Sequence, residues 1–290
     1  MAGSRLKRRR TRGALVALAL PLLLGGCAAL QLGIVNHAGP VAADQWHVYV
    51  ILSVVLIFVA GPVLLLVPLI AWHYRISNTR DAYRPNWGFS WPLEIMVWVP
   101  PIGIVIGLAF LLWNATHRLD PYRPLVAAQP AVEVQAVALD WKWLFIYPDE
   151  GIASVNRLVI PVGRPVHVSL TSGTVMQSLL IPQLAGQVYA MAGMRTQLNF
   201  AASRAGVFRG ENTQYNGKGF QDQKFDVIAM DATRYRAWLT KIRATSVPLD
   251  GRALTRMAAQ SIEPRPRAFS RVPPHLFDRI MSVTRTKEGQ

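Results

Sequence analysis

The chain has 290 residues, 51% of them apolar, which is enough for one globular domain plus membrane segments, and its single cysteine excludes an intrachain disulfide framework. The formal charge of +15 is unevenly placed, because Arg5, Lys7, Arg8, Arg9, Arg10 and Arg12 crowd the first dozen positions. A basic cluster there reads as a targeting signal before a nucleic-acid patch, and no nucleic-acid partner is expected.

After the cluster comes ALVALALPLLLGG, ending at Cys27, with the n-region, h-region and small-residue cleavage site of a secretory signal over 1–26. The order Leu24-Gly25-Gly26-Cys27 is similar to a bacterial lipoprotein signal, in which the cysteine becomes the first mature residue and carries the lipid. The bland alternative makes Cys27 a small apolar residue of an uncleaved segment. A short outer segment, 27–45, follows.

From Trp46 to Trp72 there is no charged residue, and the 27 residues exceed the ~20 needed to span a hydrocarbon core. Tryptophans at both ends favour the interface, so this run is expected to be a membrane helix despite Pro62 and Pro68. The polar loop 73–91 holds Arg75, Arg80 and Arg84 against Asp81, an excess that marks it as cytoplasmic. A second apolar run, 92–115, completes a hairpin whose two outer ends face away from the cytoplasm. In its first turn lies Glu94, within WPLEIMVWVPP. An ionisable group near a bilayer is a functional hypothesis by default, while a carboxylate in a first helical turn also simply complements the helix dipole.

Beyond the linker THRLDPYRPLVAAQP the chain breaks into β-type runs: VEVQAVAL, WKWLFIYP, RLVIP, PVHVSLTS, VMQSLLIP, TQLNFAA, GVFRG and KFDVIAM. Val166, Val168 and Leu170 alternate with His167, Ser169 and Thr171, the period of a half-buried strand. Turn residues punctuate each run, so an antiparallel sandwich or barrel is expected over 116–244. It closes on a helix that Asp231 caps, DATRYRAWLTKIRA. An Arg- and Pro-rich tail, 245–290, ends in a short amphipathic piece around HLFDRIM.

The six histidines, at 37, 47, 73, 117, 167 and 275, share no helical or hairpin spacing and suggest no metal site; His167 reads as a satisfied strand residue. Asp149-Glu150 reads as a solvated turn, and no phosphate loop or nucleophile elbow is present. The loop GENTQYNGKGFQDQKF, from Gly210 to Phe225, has the polarity of a site, yet nothing in it moves a proton near neutral pH.

Together the signal, the helix pair and the segments DWKWLFIYP, MQSLLIPQLAGQVYAMAGM and GENTQYNGKGF resemble subunit II of bacterial bo-type ubiquinol oxidases, over about Leu24 to Ala244. The resemblance implies a two-helix transmembrane hairpin followed by an all-β cupredoxin-like Greek-key sandwich or barrel, with a short C-terminal helical extension. In relatives that oxidise cytochrome c this domain holds a dinuclear copper centre. Their strand His falls here on Gln177, their two Cys on Asn212 and Asn216, the Glu between them on Gln214, their second His on Phe220 and their Met on Gln223. A soft copper pair needs thiolates and imidazoles, so no metal and no catalytic residue is expected on this chain.

The implied partners are a haem-copper subunit I, which would carry the haems and a copper, further small membrane subunits, and ubiquinol as substrate of the complex. Residues from Thr116 onward carry 22 Lys and Arg against 13 Asp and Glu, a balance of +9 that would repel basic cytochrome c. The resemblance further assigns Glu94 to the mouth of a proton-uptake channel. It sets Trp141 and Trp143 in the aromatic stretch near the former copper position, where packing against the membrane subunit is the simpler role, and Met191 and Met194 likewise as packing. In the tail it matches only Phe269 and Phe277 of an aromatic-rich segment. The expected location is the bacterial inner membrane, multi-pass and lipid-anchored, with the C-terminal domain in the periplasm. The competing reading is a free-standing lipoprotein that uses a metal-free β domain for binding or assembly.

Overall fold

The computed structural model describes residues 33–78, 88–263 and 265–288. The signal segment, Cys27, Arg80, Asp81 and Arg84 lie outside the described residues.

Helix α1 runs Pro40–His73 and helix α2 Trp91–Arg118, both longer than the apolar runs that predict them. Pro40 starts α1, where a fixed φ and a missing N–H cost nothing. At its far end α2 continues because polar side chains bond back onto the preceding turn: Asn114 Nδ2 to the Phe110 carbonyl at 2.9 Å and Thr116 Oγ1 to the Leu112 carbonyl at 2.7 Å. Both are long and apolar enough to cross a membrane, and their apolar side chains are exposed. Arg118, at the end of α2, pairs with Asp44 near the start of α1 at 3.4 Å.

The β domain has eleven strands: β1 (Val132–Leu139), β2 (Lys142–Tyr147), β3 (Ile152–Val155), β4 (Arg157–Pro161), β5 (Pro165–Ser172), β6 (Gln177–Ile181), β7 (Ala185–Ala190), β8 (Thr196–Ala201), β9 (Gly206–Asn212), β10 (Lys224–Met230) and β11 (Arg267–Phe269). One sheet has the order β11-β3-β2-β1-β5-β8 and the other β4-β10-β9-β6-β7. The antiparallel expectation needs one correction: β1 with β5, and β4 with β10, are parallel pairs. Parallel neighbours need a long crossover, and here the intervening strands supply it.

The inner faces meet in one core, with Trp143, Phe145, Val166, Val168 and Leu170 from the first sheet and Leu179, Phe208, Phe225 and Val227 from the second. Helix α3 (Ala232–Thr245) closes it with Tyr235 and Leu239; the Asp231 carboxylate accepts from the Thr233 and Arg234 amides at its N-terminus.

A second apolar layer covers the outer face of the six-stranded sheet. Val137, Leu139, Leu144, Ile146, Ala153 and Val155 are buried under Leu249, Met257, Phe269, Leu276 and Phe277. These come from the tail, which folds as helix α4 (Gly251–Ala258), strand β11 and helix α5 (Leu276–Glu288). The tail thus packs as part of the β domain.

The residues just before α1 join that domain too. The Ala38 amide donates to the Gln183 carbonyl and the Ala38 carbonyl accepts from the Ser203 amide, each at 2.7 Å. After α2, the Pro121 carbonyl accepts from the Asn199 backbone amide at 3.0 Å and from its Nδ2 at 2.9 Å. The residues that flank the helix pair, Ala38 and Pro121, therefore belong to the β domain.

Candidate functional site

Three segments converge at one end of the sandwich: the β1–β2 hairpin, the start of β6, and the loop from Asn212 to Gln223 that joins β9 to β10. The hairpin pairs Leu139 with Lys142, leaving Asp140 and Trp141 as a two-residue turn. Such tight turns require positive φ, and Trp141 adopts φ 65°. The loop closes on itself through the Asn212 amide, which donates to the Gln223 carbonyl at 3.1 Å.

Gln223 is the hub, fully buried. Its Nε2 donates to Gln177 Oε1 and to the Leu139 carbonyl at 3.2 Å. Its Oε1 accepts from Asn212 Nδ2 at 3.0 Å and Asn216 Nδ2 at 2.7 Å. Gln177, also fully buried, donates through Nε2 to Thr174 Oγ1 at 3.0 Å and to the Leu139 carbonyl at 3.4 Å. Asn212 Oδ1 accepts from the Ser178 amide at 2.9 Å and the Gln214 amide at 3.0 Å, while its Nδ2 also reaches the Gln214 carbonyl at 2.8 Å. Trp141 lies over Gly217 and Gly219 and donates through Nε1 to the Asn216 carbonyl at 3.2 Å.

Four of the six positions aligned with copper ligands, Gln177, Asn212, Asn216 and Gln223, are thus joined side chain to side chain, and Gln214 contributes its backbone. Phe220 stays out and packs against Tyr215, with ring centroids 5.7 Å apart. These residues do not fit a dinuclear copper centre: neutral carboxamides replace thiolate and imidazole, and they spend their donors and acceptors on one another. Burial here is affordable because the amides are hydrogen-bonded; Asn216 Oδ1 is the buried atom left without a partner among the described residues of the cluster.

Other expected residues separate from this cluster. Glu94 sits in the first turn of α2, where its Oε2 accepts from Trp98 Nε1 at 3.0 Å. His167, on β5, meets Asn199 Oδ1 through Nδ1 at 2.9 Å, a satisfied strand histidine. Glu150 pairs with Arg243 from its turn. Trp143 packs in the domain's own core against Phe145 and Phe225, so the reading that it packs against a membrane subunit fails; the strand period turns it inward. Met194 is 53% exposed on its turn.

Lys142 escapes sequence reasoning. Between two tryptophans the period of two places it on the outer face, which reads as solvent. The tail covers that face, and the ammonium group, fully buried, donates to the Ala259 carbonyl at 2.9 Å, the Ser261 carbonyl at 3.2 Å and Ser261 Oγ. Burial pushes its pKa down, opposed by the Glu263 and Asp140 carboxylates. Asn156 continues the same line of contact, accepting from the Trp143 amide at 2.8 Å and donating to the Glu263 carbonyl at 2.9 Å.

The class follows from the domain: residues 149–228 match the family described as "Cytochrome C oxidase subunit II, periplasmic domain". Similarity over most of the chain is more specific. It is 40% identical over 267 residues to the cytochrome bo(3) ubiquinol oxidase subunit 2 of Pseudomonas aeruginosa, covering 92% of this chain and 80% of that one. It is 41% identical to the ubiquinol oxidase subunit 2 of Acetobacter aceti, covering 90% and 84%. The crystal structure of the periplasmic domain of subunit II of cytochrome oxidase from Bradyrhizobium japonicum aligns with 21% identity and a TM-score of 0.37, over 40% of this chain and 96% of that one. The chain belongs to the ubiquinol oxidase subunit 2 family.

Proposed function

We propose that this chain is the second subunit of a proton-pumping terminal oxidase that oxidises ubiquinol and reduces oxygen to water, and that it bears no redox centre itself. The amide cluster carries this reading: the frame of a copper loop is kept, and every side chain aligned with a ligand is a carboxamide or a phenyl ring. Electrons then have no stop on this domain. Quinol diffuses within the membrane and delivers them to a haem-copper subunit I, where the haems and a copper reside, and further small membrane subunits complete the assembly. The +9 balance of the residues from Thr116 onward disfavours cytochrome c as donor.

The helix pair anchors the domain in the bacterial inner membrane, aided by a lipid on Cys27. On this reading the pair crosses and returns and the β domain lies on the periplasmic side, which is supported by the arginine excess of the 73–91 loop and by the residues before α1 and after α2 belonging to the same domain. Glu94, at the other end of α2, then sits at the cytoplasmic surface. A carboxylate at a channel mouth gathers protons and relays them inward, so its role is proton entry into the large subunit.

Purification from membranes tests the assignment: co-purifying haem absorbance and ubiquinol-driven oxygen consumption are expected, whereas a chain that purifies alone without haem would be a free-standing lipoprotein. Glu94→Gln in the assembled enzyme is expected to slow oxygen consumption and proton uptake about 100-fold, a general acid–base effect at the low end of its range. Unchanged rates would remove Glu94 from the proton path.

A further inference from the structure

Of the eight asparagines in the chain, only Asn216 is followed by a glycine. A backbone amide nitrogen can attack the side-chain carbonyl carbon of the asparagine before it, and glycine, which has no Cβ, leaves that approach open. The attack closes a five-membered succinimide and expels the side-chain nitrogen as ammonia. Water then opens the ring at either carbonyl, giving aspartate or isoaspartate. One water is consumed for each ammonia released, and nothing is oxidised or reduced.

The loop between β9 and β10 leaves the nucleophile free. Asn216 and Gly217 are half-buried between exposed Tyr215 and Lys218, so water reaches the segment. Gly217 has φ 108°, and its carbonyl accepts from the Phe220 amide at 3.1 Å, but its own amide has no hydrogen-bond partner among the described residues. No acceptor therefore competes for the proton that this nitrogen must lose.

The group under attack is restrained instead. Asn216 Nδ2 donates to Gln223 Oε1 at 2.7 Å, and Trp141 Nε1 donates to the Asn216 carbonyl at 3.2 Å. Asn216 Oδ1 is buried without a partner among the described residues, so no donor is in place for the negative charge that this oxygen takes on during attack. To swing toward the Gly217 nitrogen, the side chain must first give up its bond to Gln223. The product, in turn, does not fit the cluster. Aspartate puts an oxygen where Nδ2 was, acceptor against acceptor at Gln223 Oε1. Isoaspartate also turns the carbonyl bonded by Trp141 into a free carboxylate and adds a methylene to the main chain.

We propose that Asn216 is a site of spontaneous deamidation through a succinimide, that its bond to Gln223 paces the conversion, and that the product opens the amide cluster.

The test incubates the full-length chain, in detergent, in mildly alkaline heavy-oxygen water, and locates the incorporated oxygen by digestion and mass spectrometry. Label is expected at Asn216 as both aspartate and isoaspartate, with Asn212, which precedes Thr213, as the unlabelled control. The folded chain should label more slowly than the same chain in denaturant. Gln223→Leu takes away the acceptor of Asn216 Nδ2 and should speed labelling of the folded chain about tenfold, the factor that one hydrogen bond of ordinary net strength gives. Because that variant also loses stability, Trp141→Phe is compared with it: this change removes the bond to the Asn216 carbonyl and should speed labelling while β9 and β10 stay protected from hydrogen exchange. Asn216→Asp, which is the aspartate product, should speed exchange of the Gln214 amide, which Asn212 Oδ1 accepts within the cluster. The proposal is overturned by a folded chain that takes up no label at Asn216, by equal rates with and without denaturant, by rates indifferent to both Gln223→Leu and Trp141→Phe, or by a Gln214 amide that stays protected in Asn216→Asp.

Discussion

At the scale of single residues, Gln223 decides whether the cluster holds. It donates twice and accepts twice, to buried Gln177, Asn212 and the Leu139 carbonyl and to half-buried Asn216. Gln223→Leu keeps the volume, strands the Asn216 amide and the Gln177 oxygen, and removes one of two acceptors from Asn212 Nδ2 and part of the Leu139 carbonyl's bonding. Stranded buried groups cost about 1–3 kcal/mol each, so a loss of roughly 3 kcal/mol or more is expected, read as a fall in Tm of about 6–12 °C. Gln223→Glu is the sharper probe, because one carboxylate oxygen must then face the Leu139 carbonyl and Gln177 Oε1, both acceptors. Only the protonated acid can donate there, so folding raises the pKa of this new group. Its stability is present below the ordinary Glu value of about 4.3 and is lost as pH rises through the raised value. The variant should approach wild type on acidification; a pH-independent deficit would mean that the amide orientation is the reverse. The positions of this cluster are legible in the sequence because the loop keeps its relatives' spacing. Their bonding is not, since Thr174, Ser178 and the Leu139 carbonyl enter only when hairpin, strand and loop meet.

At the scale of elements, the tail shows what periodicity leaves out. KFDVIAM alternates cleanly and forms β10, whereas β3 and β7 are runs of small and mixed residues, IASV and AGQVYA, that carry little pattern. Strand β11 is only RAF, within an Arg- and Pro-rich stretch, and exists because Arg267, Ala268 and Phe269 pair with Val155, Ser154 and Ala153. Lys142 fastens the preceding segment. Lys142→Met removes its bonds to Ala259 and Ser261 while keeping an apolar stem, so hydrogen exchange over 259–269 should rise by about tenfold or more, with β9 and β10 still protected. The same lysine sets a pH signature. Its folded pKa lies below the ordinary 10.5, so its contribution is present above 10.5 and is lost as pH falls through the folded value. The wild type should therefore gain on Lys142→Met as pH rises towards 10.5. Above 10 a common decline sets in for both, because burial pushes Tyr235 from 10.0 up to about 12 and stability is lost as pH climbs towards that value. Parallel curves for the two proteins would show that Lys142 titrates as an exposed lysine.

At the scale of the whole molecule, the apolar run from Trp46 is legible in the sequence, but the joint that ties the residues just before α1 into the β domain is not. That joint is Ala38 and Gly39, two small residues without pattern, ahead of a helix that the apolar run alone would start later. Ala38 is buried, bonded by its amide and carbonyl to the connections after β6 and β8. At Gly39 an added Cβ would press into the Ala201 carbonyl oxygen and lie 3.2 Å from the Leu184 carbonyl, so only glycine allows the backbone this close. Gly39→Ala must lift the segment off, with backbone atoms on the other side that cannot swing away as a side chain would. Overpacking of this kind costs about 1–3 kcal/mol, a fall in Tm of roughly 3–10 °C. The loss should come with faster exchange of the Ser203 amide, which bonds to the Ala38 carbonyl. A variant with unaltered Tm and a protected Ser203 amide would make this segment a passive lead-in to α1.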